Sequence, residues 1–191
     1  MRGTGFGAGL ILNSQLYCGS NDMAGEIGHI RAEQDGPIGY RKQGSFEGFC
    51  SGGGIAQIGQ MMVIREAAAG NNPRLLTECG NIRSINAKAI ADLAEQGDSL
   101  CREIYRISGE KLGKALSIMI DLLDLDAISI GSIFTRSYNL LWDSCNKVME
   151  QECLSINYRH CRIVTSALGD KVGDIAALAA AAYGAAKQSQ F

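Results

Sequence analysis

Apolar positions alternate along the first part of the chain and recur at helical spacing after it. Residues 4–12 ("TGFGAGLIL") alternate glycine with larger residues and then turn apolar. Asn13 and Ser14 break the run and "QLY" returns, a pattern that predicts a β-hairpin. "NDMAGEIGHIRAE" reads as a turn leading into a third strand around 27–32. Residues 35–45 ("DGPIGYRKQGS") hold three glycines and a proline and read as a loop.

The period then changes. "FEGFCSGGGIAQIGQMMVIREAA" has a glycine-rich entry followed by Ile55, Ile58, Met62 and Val63 at helical spacing. "NAKAIADLAEQG" carries an asparagine cap, a helix body and a glycine stop. A long helix over 99–123 follows from Leu100, Ile104, Ile107, Leu112, Leu116 and Met119. "DAISIG" predicts a short buried strand, 137–150 a helix, "CRIVTSALG" a strand and loop, and 173 onward a closing helix. Strands first, then helices, then two βα units define an α/β fold. No repeat, linker or low-complexity tract marks a second domain, so 1–191 reads as one domain.

Composition narrows the function classes. The chain has 191 residues, 46% apolar and 20% charged, with a formal net charge of -2 and no run of like charges. Those values suit a globular core and give no footprint for nucleic acid or a membrane surface. The longest apolar run, 175–186, is broken by Gly184 and falls short of a bilayer span. No signal-peptide pattern opens the chain, and seven scattered cysteines without CxxC spacing read as reduced thiols of a cytoplasmic protein. Two histidines, His29 and His160, leave little material for a metal site.

Four stretches could carry chemistry. In "GTGFGAG", Gly3, Gly5, Gly7 and Gly9 leave one strand face bare. Phosphate oxygens could then reach backbone N–H groups, with the Thr4 hydroxyl as a further donor; a closely crossing element would need the same bareness. In "AGEIGHI", Glu26 and His29 lie close enough to meet one ligand, and a carboxylate beside an imidazole suits a polyol. A solvated glutamate beside a locally bonded histidine is the alternative. Glu47 opens a helix, where a dipole-favoured capping carboxylate would be explanation enough, and "SGGG" at 51–54 could be plain helix entry. Gly131 and Ser132 end a strand, where α/β sheets gather ligands, although an ordinary turn gives the same residues.

In this order the motifs resemble the second half of the ROK family, bacterial sugar kinases and sugar-responsive repressors. The likeness covers essentially the whole chain and is most specific at AGEIGH. It implies one lobe, the C-terminal one, of an actin/hexokinase-like (ribonuclease H-like) fold, a mixed sheet with flanking helices. In that superfold ATP and sugar bind between two lobes. It further implies that Thr4, Gly5 and Gly7 line nucleotide phosphates, that Gly131 and Ser132 lie near the adenosine, and that Glu26, His29 and Glu47 bind sugar hydroxyls. ATP with Mg2+ would be used by the intact protein to phosphorylate a hexose or amino-hexose. A sugar-responsive repressor is the alternative, and a non-catalytic oligomerisation module a third.

Two departures from the family pattern shape the expectations. Where most members have a zinc loop, the matching positions here are Ile38, Tyr40 and Ser45, so no zinc is expected and Pro37, Tyr40 packing and turn hydrogen bonds must hold the loop. The family's first lobe, with its DxGGT-like loop and the aspartate that takes the sugar proton, has no counterpart in these residues, and "DLLDLD" at 121–126 reads as capping. The chain alone is therefore expected to be inactive and to lack a catalytic residue of its own. Its partners are then a sugar, the missing N-terminal lobe and further copies of itself, with no membrane and no direct nucleic-acid contact.

Overall fold

The computed structural model describes residues 5–171 together with 174, 175 and 177–179. The predicted hairpin forms: β1 (Leu10–Leu12) pairs antiparallel with β2 (Gln15–Tyr17). Asn13 and Ser14 between them both have positive φ, as a two-residue hairpin turn of this hand requires. The expected third strand does not form. Ile27–His29 is a turn of 3-10 helix, and only Arg31 bridges to Ser45. The cause is close backbone approach, since a Cβ on Gly28 would lie 1.8 Å from the Phe6 carbonyl oxygen and one on Gly25 1.9 Å from that of Ala8.

The loop at 35–45 contains a miniature hairpin, β3 (Ile38–Gly39) against β4 (Lys42–Gln43). The glycine-rich helix entry is two helices, α1 (Phe46–Cys50) and α2 (Gly52–Ala68), meeting at Ser51. Ser45 and Ser51 cap them in turn, their hydroxyls accepting from the N–H groups of Gly48 and Gly54. Next come α3 (Arg74–Cys79), which the sequence reading did not foresee, α4 (Ala87–Glu95) capped by Asn86, and α5 (Ser99–Leu123) capped by Asp98.

Beyond α5 the chain forms β5 (Ala127–Ile130), α6 (Ile133–Arg136), α7 (Tyr138–Glu152), α8 (Ser155–His160) and β6 (Arg162–Thr165). β5 and β6 pair in parallel, as two βα units demand. β5 is half-exposed rather than buried, because among the described residues its ladder has β6 as its one partner strand. The "DLLDLD" carboxylates do cap. Asp121 accepts from the N–H of Leu154 at the start of α8, and Asp124 ends α5 in the left-handed conformation. The closing helix expected from 173 onward falls almost wholly outside the described residues.

The α/β reading therefore holds, with the strands arranged as three two-stranded ladders and the core made mostly by helices. Ile104, Leu112, Leu116 and Ile120 of α5 are buried against Leu141, Cys145 and Met149 of α7, Ile90 and Leu93 of α4, and Ile55, Ile58 and Val63 of α2. A second small cluster, Ile27, Phe46 and Ala115, seats the 3-10 turn and α1 against α5. All seven cysteines are free thiols. Within the described residues no helix is long and apolar enough to cross a membrane.

Candidate functional site

Glu47 sits in the first turn of α1 but does not cap it, since Ser45 does. Its carboxylate faces the glycine-rich strap of residues 5–9 instead. The Phe6 N–H donates to Glu47 Oε2 at 3.2 Å, and a Cβ on Gly5 would stand 3.2 Å from the same oxygen. Glycine at position 5 thus lets the carboxylate lie flat on the strap. The first-turn position still suits a carboxylate by the helix dipole, but the side chain also reaches across to residue 6.

On the strap's other side lies the turn that carries Glu26 and His29. The Ala8 N–H donates to the Gly25 carbonyl at 2.8 Å, while the Gly28 backbone presses on Phe6. Strap, turn and first turn of α1 are therefore one packed unit that holds all three residues expected to bind sugar. Glu26 and His29 are exposed. Glu26 occupies the cap position of the 3-10 turn without using its side chain there. The His29 ring meets Tyr40 edge-on, 6.0 Å between centroids, and its carbonyl accepts from the Lys42 ammonium at 2.6 Å.

A cavity of about 60 Å³ opens beside the strap, lined by Gly5, Phe6, Ser51, Gly52, Gly131 and Ser132 among others. Three of the expected nucleotide-site residues, Gly5, Gly131 and Ser132, are thereby brought together from opposite ends of the chain. Gly7 is not in this lining; a Cβ on it would lie 4.0 Å from the Gly25 carbonyl oxygen. Thr4 lies outside the described residues. The volume is far below the roughly 300 Å³ at which small-molecule sites begin, so the cavity by itself encloses no nucleotide. None of the lining residues is Asp, Glu, Lys, Arg or His. At the cavity the Cys50 thiol donates to the Ser108 carbonyl, and burial, then the Cys145 thiol, push its ionisation far up.

Ser132 has φ 59 and ψ −124, a conformation that non-glycine residues rarely adopt. The sequence reading placed Gly131 and Ser132 at the strand end but did not foresee Phe6, Ser51, Gly52 and Ser108 around the same cavity. "SGGG" was the available signal, and its plain reading as a helix entry is also correct. Behind Glu47, Lys111 of α5 donates to Glu33 and lies 5.4 Å above the Phe49 ring. That ammonium, through its hydrogen bond and its charge, holds the Glu33 carboxyl below its ordinary value.

The loop between His29 and Glu47 offers no tetrahedral metal site. Ile38 and Tyr40 are exposed, Ser45 is buried with its hydroxyl engaged as the α1 cap, and none is a thiolate or imidazole. Among the described residues no group of three His, Cys, Asp or Glu could hold a metal ion.

Helices packed over small ladders, with a glycine strap facing a strand end, place the fold in the actin/hexokinase-like class to which the solved ROK hexokinases belong. The description of the ROK family matches residues 2–183, and the chain belongs to that family. It is 30% identical over 169 residues to the N-acetylglucosamine repressor of Shigella flexneri, covering 86% of this chain and 38% of the repressor. It is 28% identical over 179 residues to the glucokinase of Streptomyces coelicolor, covering 92% and 56%. Among solved structures it is similar to a ROK family glucokinase from Streptomyces griseus in complex with glucose and AMPPNP, with TM-score 0.73, 29% identity and coverage of 90% and 55%. A ROK family transcriptional regulator, a homolog of the Escherichia coli MLC protein, gives TM-score 0.69 at 25% identity, covering 85% of this chain and 39% of the regulator. The chain spans between 38% and 56% of the length of the two curated relatives.

Proposed function

We propose that the protein binds a hexose or amino-hexose through Glu26, His29 and Glu47, as the C-terminal wall of a cleft whose intact form phosphorylates that sugar with ATP and Mg2+. The observation that carries this reading is the bond from the Phe6 N–H to Glu47. It joins the strap beside the candidate phosphate floor to the carboxylate beside the candidate sugar, so donor and acceptor sites share one rigid edge. Glu26 and His29 leave their side-chain polar atoms to solvent on that edge, as a hydroxyl-rich ligand needs. The glucokinase relatives, one of them holding glucose and AMPPNP, favour the kinase.

Phosphates would lie across the mouth of the cavity between Gly5 and Gly131, near the capped start of α2, with Gly7 further along the strap. Magnesium would arrive on the nucleotide, since the floor has no carboxylate to hold it. No zinc enters this reading. The second reading, an effector-binding lobe of a sugar-responsive repressor, is favoured by the 30% identity to an N-acetylglucosamine repressor. Sugar-dependent ADP release by the intact protein selects the kinase, and sugar-dependent release of DNA the repressor.

Calorimetric titration of the full chain with glucose and with N-acetylglucosamine tests the sugar site. E26A removes a charge-assisted hydrogen bond and no structural one, so affinity should fall roughly 10- to 100-fold. Affinity for both sugars unchanged in E26A, H29A and E47Q would overturn the reading.

A further inference from the structure

One short segment touches both ends of the candidate sugar site. The β3–β4 hairpin reaches His29 through the Tyr40 ring and the Lys42 ammonium. It reaches Glu47 through its backbone: a Cβ on Gly39 would lie 2.7 Å from Glu47 Cβ, and one on Gly48 2.3 Å from the Pro37 carbonyl oxygen. Where this hairpin sits therefore sets where the imidazole and the carboxylate sit relative to one another.

By itself the hairpin is poorly equipped to hold that position. It has two residues per strand, and its turn residues, Tyr40 and Arg41, have φ of 38 and 66. Ile38 and Tyr40 are 55% and 79% exposed, so side-chain burial contributes little. The tyrosine packing expected to hold the loop is limited to its edge contact with His29. The Gly44 N–H closes the loop on the Pro37 carbonyl at 2.9 Å. The Ser45 hydroxyl, at the α1 cap, donates to the Gly39 carbonyl at 3.4 Å, and the Ala32 N–H donates to the Gly44 carbonyl at 2.7 Å. These bonds tie the loop to α1 and to the 31–33 segment but not to α2.

Gln57 makes the connection to α2. Its side-chain oxygen accepts from the Ile38 N–H at 2.9 Å, and its amide nitrogen donates to the Ile38 carbonyl at 2.9 Å. Both polar groups of one hairpin residue are held by one side chain, as a neighbouring strand would hold them. The side chain rises from α2, whose flanking Ile55 and Ile58 are buried in the main core. A rigid helix thus clamps a segment that, like the strap, touches both sides of the site.

We infer that Gln57 is the positioning residue of the sugar site, its carboxamide holding the 37–44 hairpin against α2 so that His29 and Glu47 keep their spacing without a metal ion. This rests on the sugar reading above for its function, but the clamp itself is testable without sugar. Q57M keeps the length and volume of the side chain and loses both bonds.

Hydrogen exchange of the full chain, read at Ile38 and Gly44, is the deciding measurement. Q57M should exchange at Ile38 about tenfold faster or more, with the global melting transition little changed because the bonds are half-exposed. Q57E supplies the conservative rescue. As a carboxylate it repels the Ile38 carbonyl, but protonated, below about pH 5, it again offers one donor and one acceptor. Relative to wild type, Ile38 protection in Q57E should then recover on acidification while Q57M does not. Wild-type protein treated with EDTA should keep its Ile38 protection.

Equal Ile38 exchange in wild type and Q57M overturns the clamp, and loss of protection on chelation that zinc restores overturns its independence of metal. With the clamp standing, glucose and N-acetylglucosamine should bind Q57M about tenfold more weakly than wild type. Equal affinities overturn the positioning role, whereas no binding of either sugar to wild type overturns the sugar reading and leaves the exchange comparison decisive for the clamp.

Discussion

Ser132 stores strain where the candidate nucleotide floor meets the end of β5. Its φ of 59 and ψ of −124 lie in a region that costs non-glycine residues about 1–3 kcal/mol, and its exposed side chain makes no capping bond that would offset this. Glycine would remove the strain but adds about 0.5–1 kcal/mol of entropy to the unfolded chain. The difference should leave S132G more stable by about 1 kcal/mol, read as a melting temperature about 2–4 °C higher. A lower melting temperature would show that the serine is supported by its surroundings. Residues of this kind were only half legible. Position 132 was recognisable as a strand end, but an unusual backbone angle leaves no mark in composition. Glu47 is the converse case: it was recognisable as a carboxylate at a helix start, and its true partner, the Phe6 N–H, lies 41 residues away and emerged only from packing.

Long periodic elements were the most legible. α5 forms over the span that its apolar spacing implied, and α4 has the asparagine cap that the sequence announced. Short elements built on glycine were not, because the alternation of "GEIGHIRA" looks like a strand while Gly25 and Gly28 let the chain press against the strap and turn. The β3–β4 hairpin was hidden for a related reason: Tyr–Arg has no intrinsic preference for a left-handed turn, so its fixation by Gln57 and α1 is a tertiary effect. Glycines inside helices carry an opposite lesson. In α5, a Cβ on Gly109 would meet Ser144 Oγ at 2.1 Å and, less forgivingly, the Leu141 carbonyl oxygen of α7 at 2.6 Å. Alanine gains about 1 kcal/mol of helix propensity, but overpacking against fixed backbone costs about 1–3 kcal/mol. G109A should therefore destabilise by about 1 kcal/mol in chemical unfolding. G53A in α2, whose nearest neighbour would be Ser51 Oγ at 4.0 Å, should not destabilise. Equal effects at both positions would mean that α5 and α7 yield more easily than their contact suggests.

At the scale of the molecule, the proposed binding groups gather on one edge. The edge made by strap, 3-10 turn and α1 holds Glu26, His29 and Glu47, and the neighbouring cavity is lined by uncharged residues, glycines and serines beside apolar side chains such as Phe6 and Phe134. Phosphoryl transfer needs the two substrates held in line and a base aimed at the attacking hydroxyl. Of the three residues proposed to bind sugar, Glu47 has an oxygen occupied by the Phe6 N–H, while Glu26 and His29 stand exposed on the turn, with no hydrogen-bond partner among the described residues to aim either as a base. Lack of a positioned base lowers the rate by about 10²–10⁴, and a cavity of about 60 Å³ adds little immobilisation of the nucleotide. The 191-residue chain should therefore bind glucose or N-acetylglucosamine without turning it over. In a coupled ADP-release assay with ATP, Mg2+ and either sugar, the rate should stay at least about 10²-fold below the 1–10³ s⁻¹ usual for enzymes. Sugar-dependent turnover within that usual range would mean that the chain completes its own cleft, and would reassign one of Glu26, His29 and Glu47 from holding the sugar to deprotonating it.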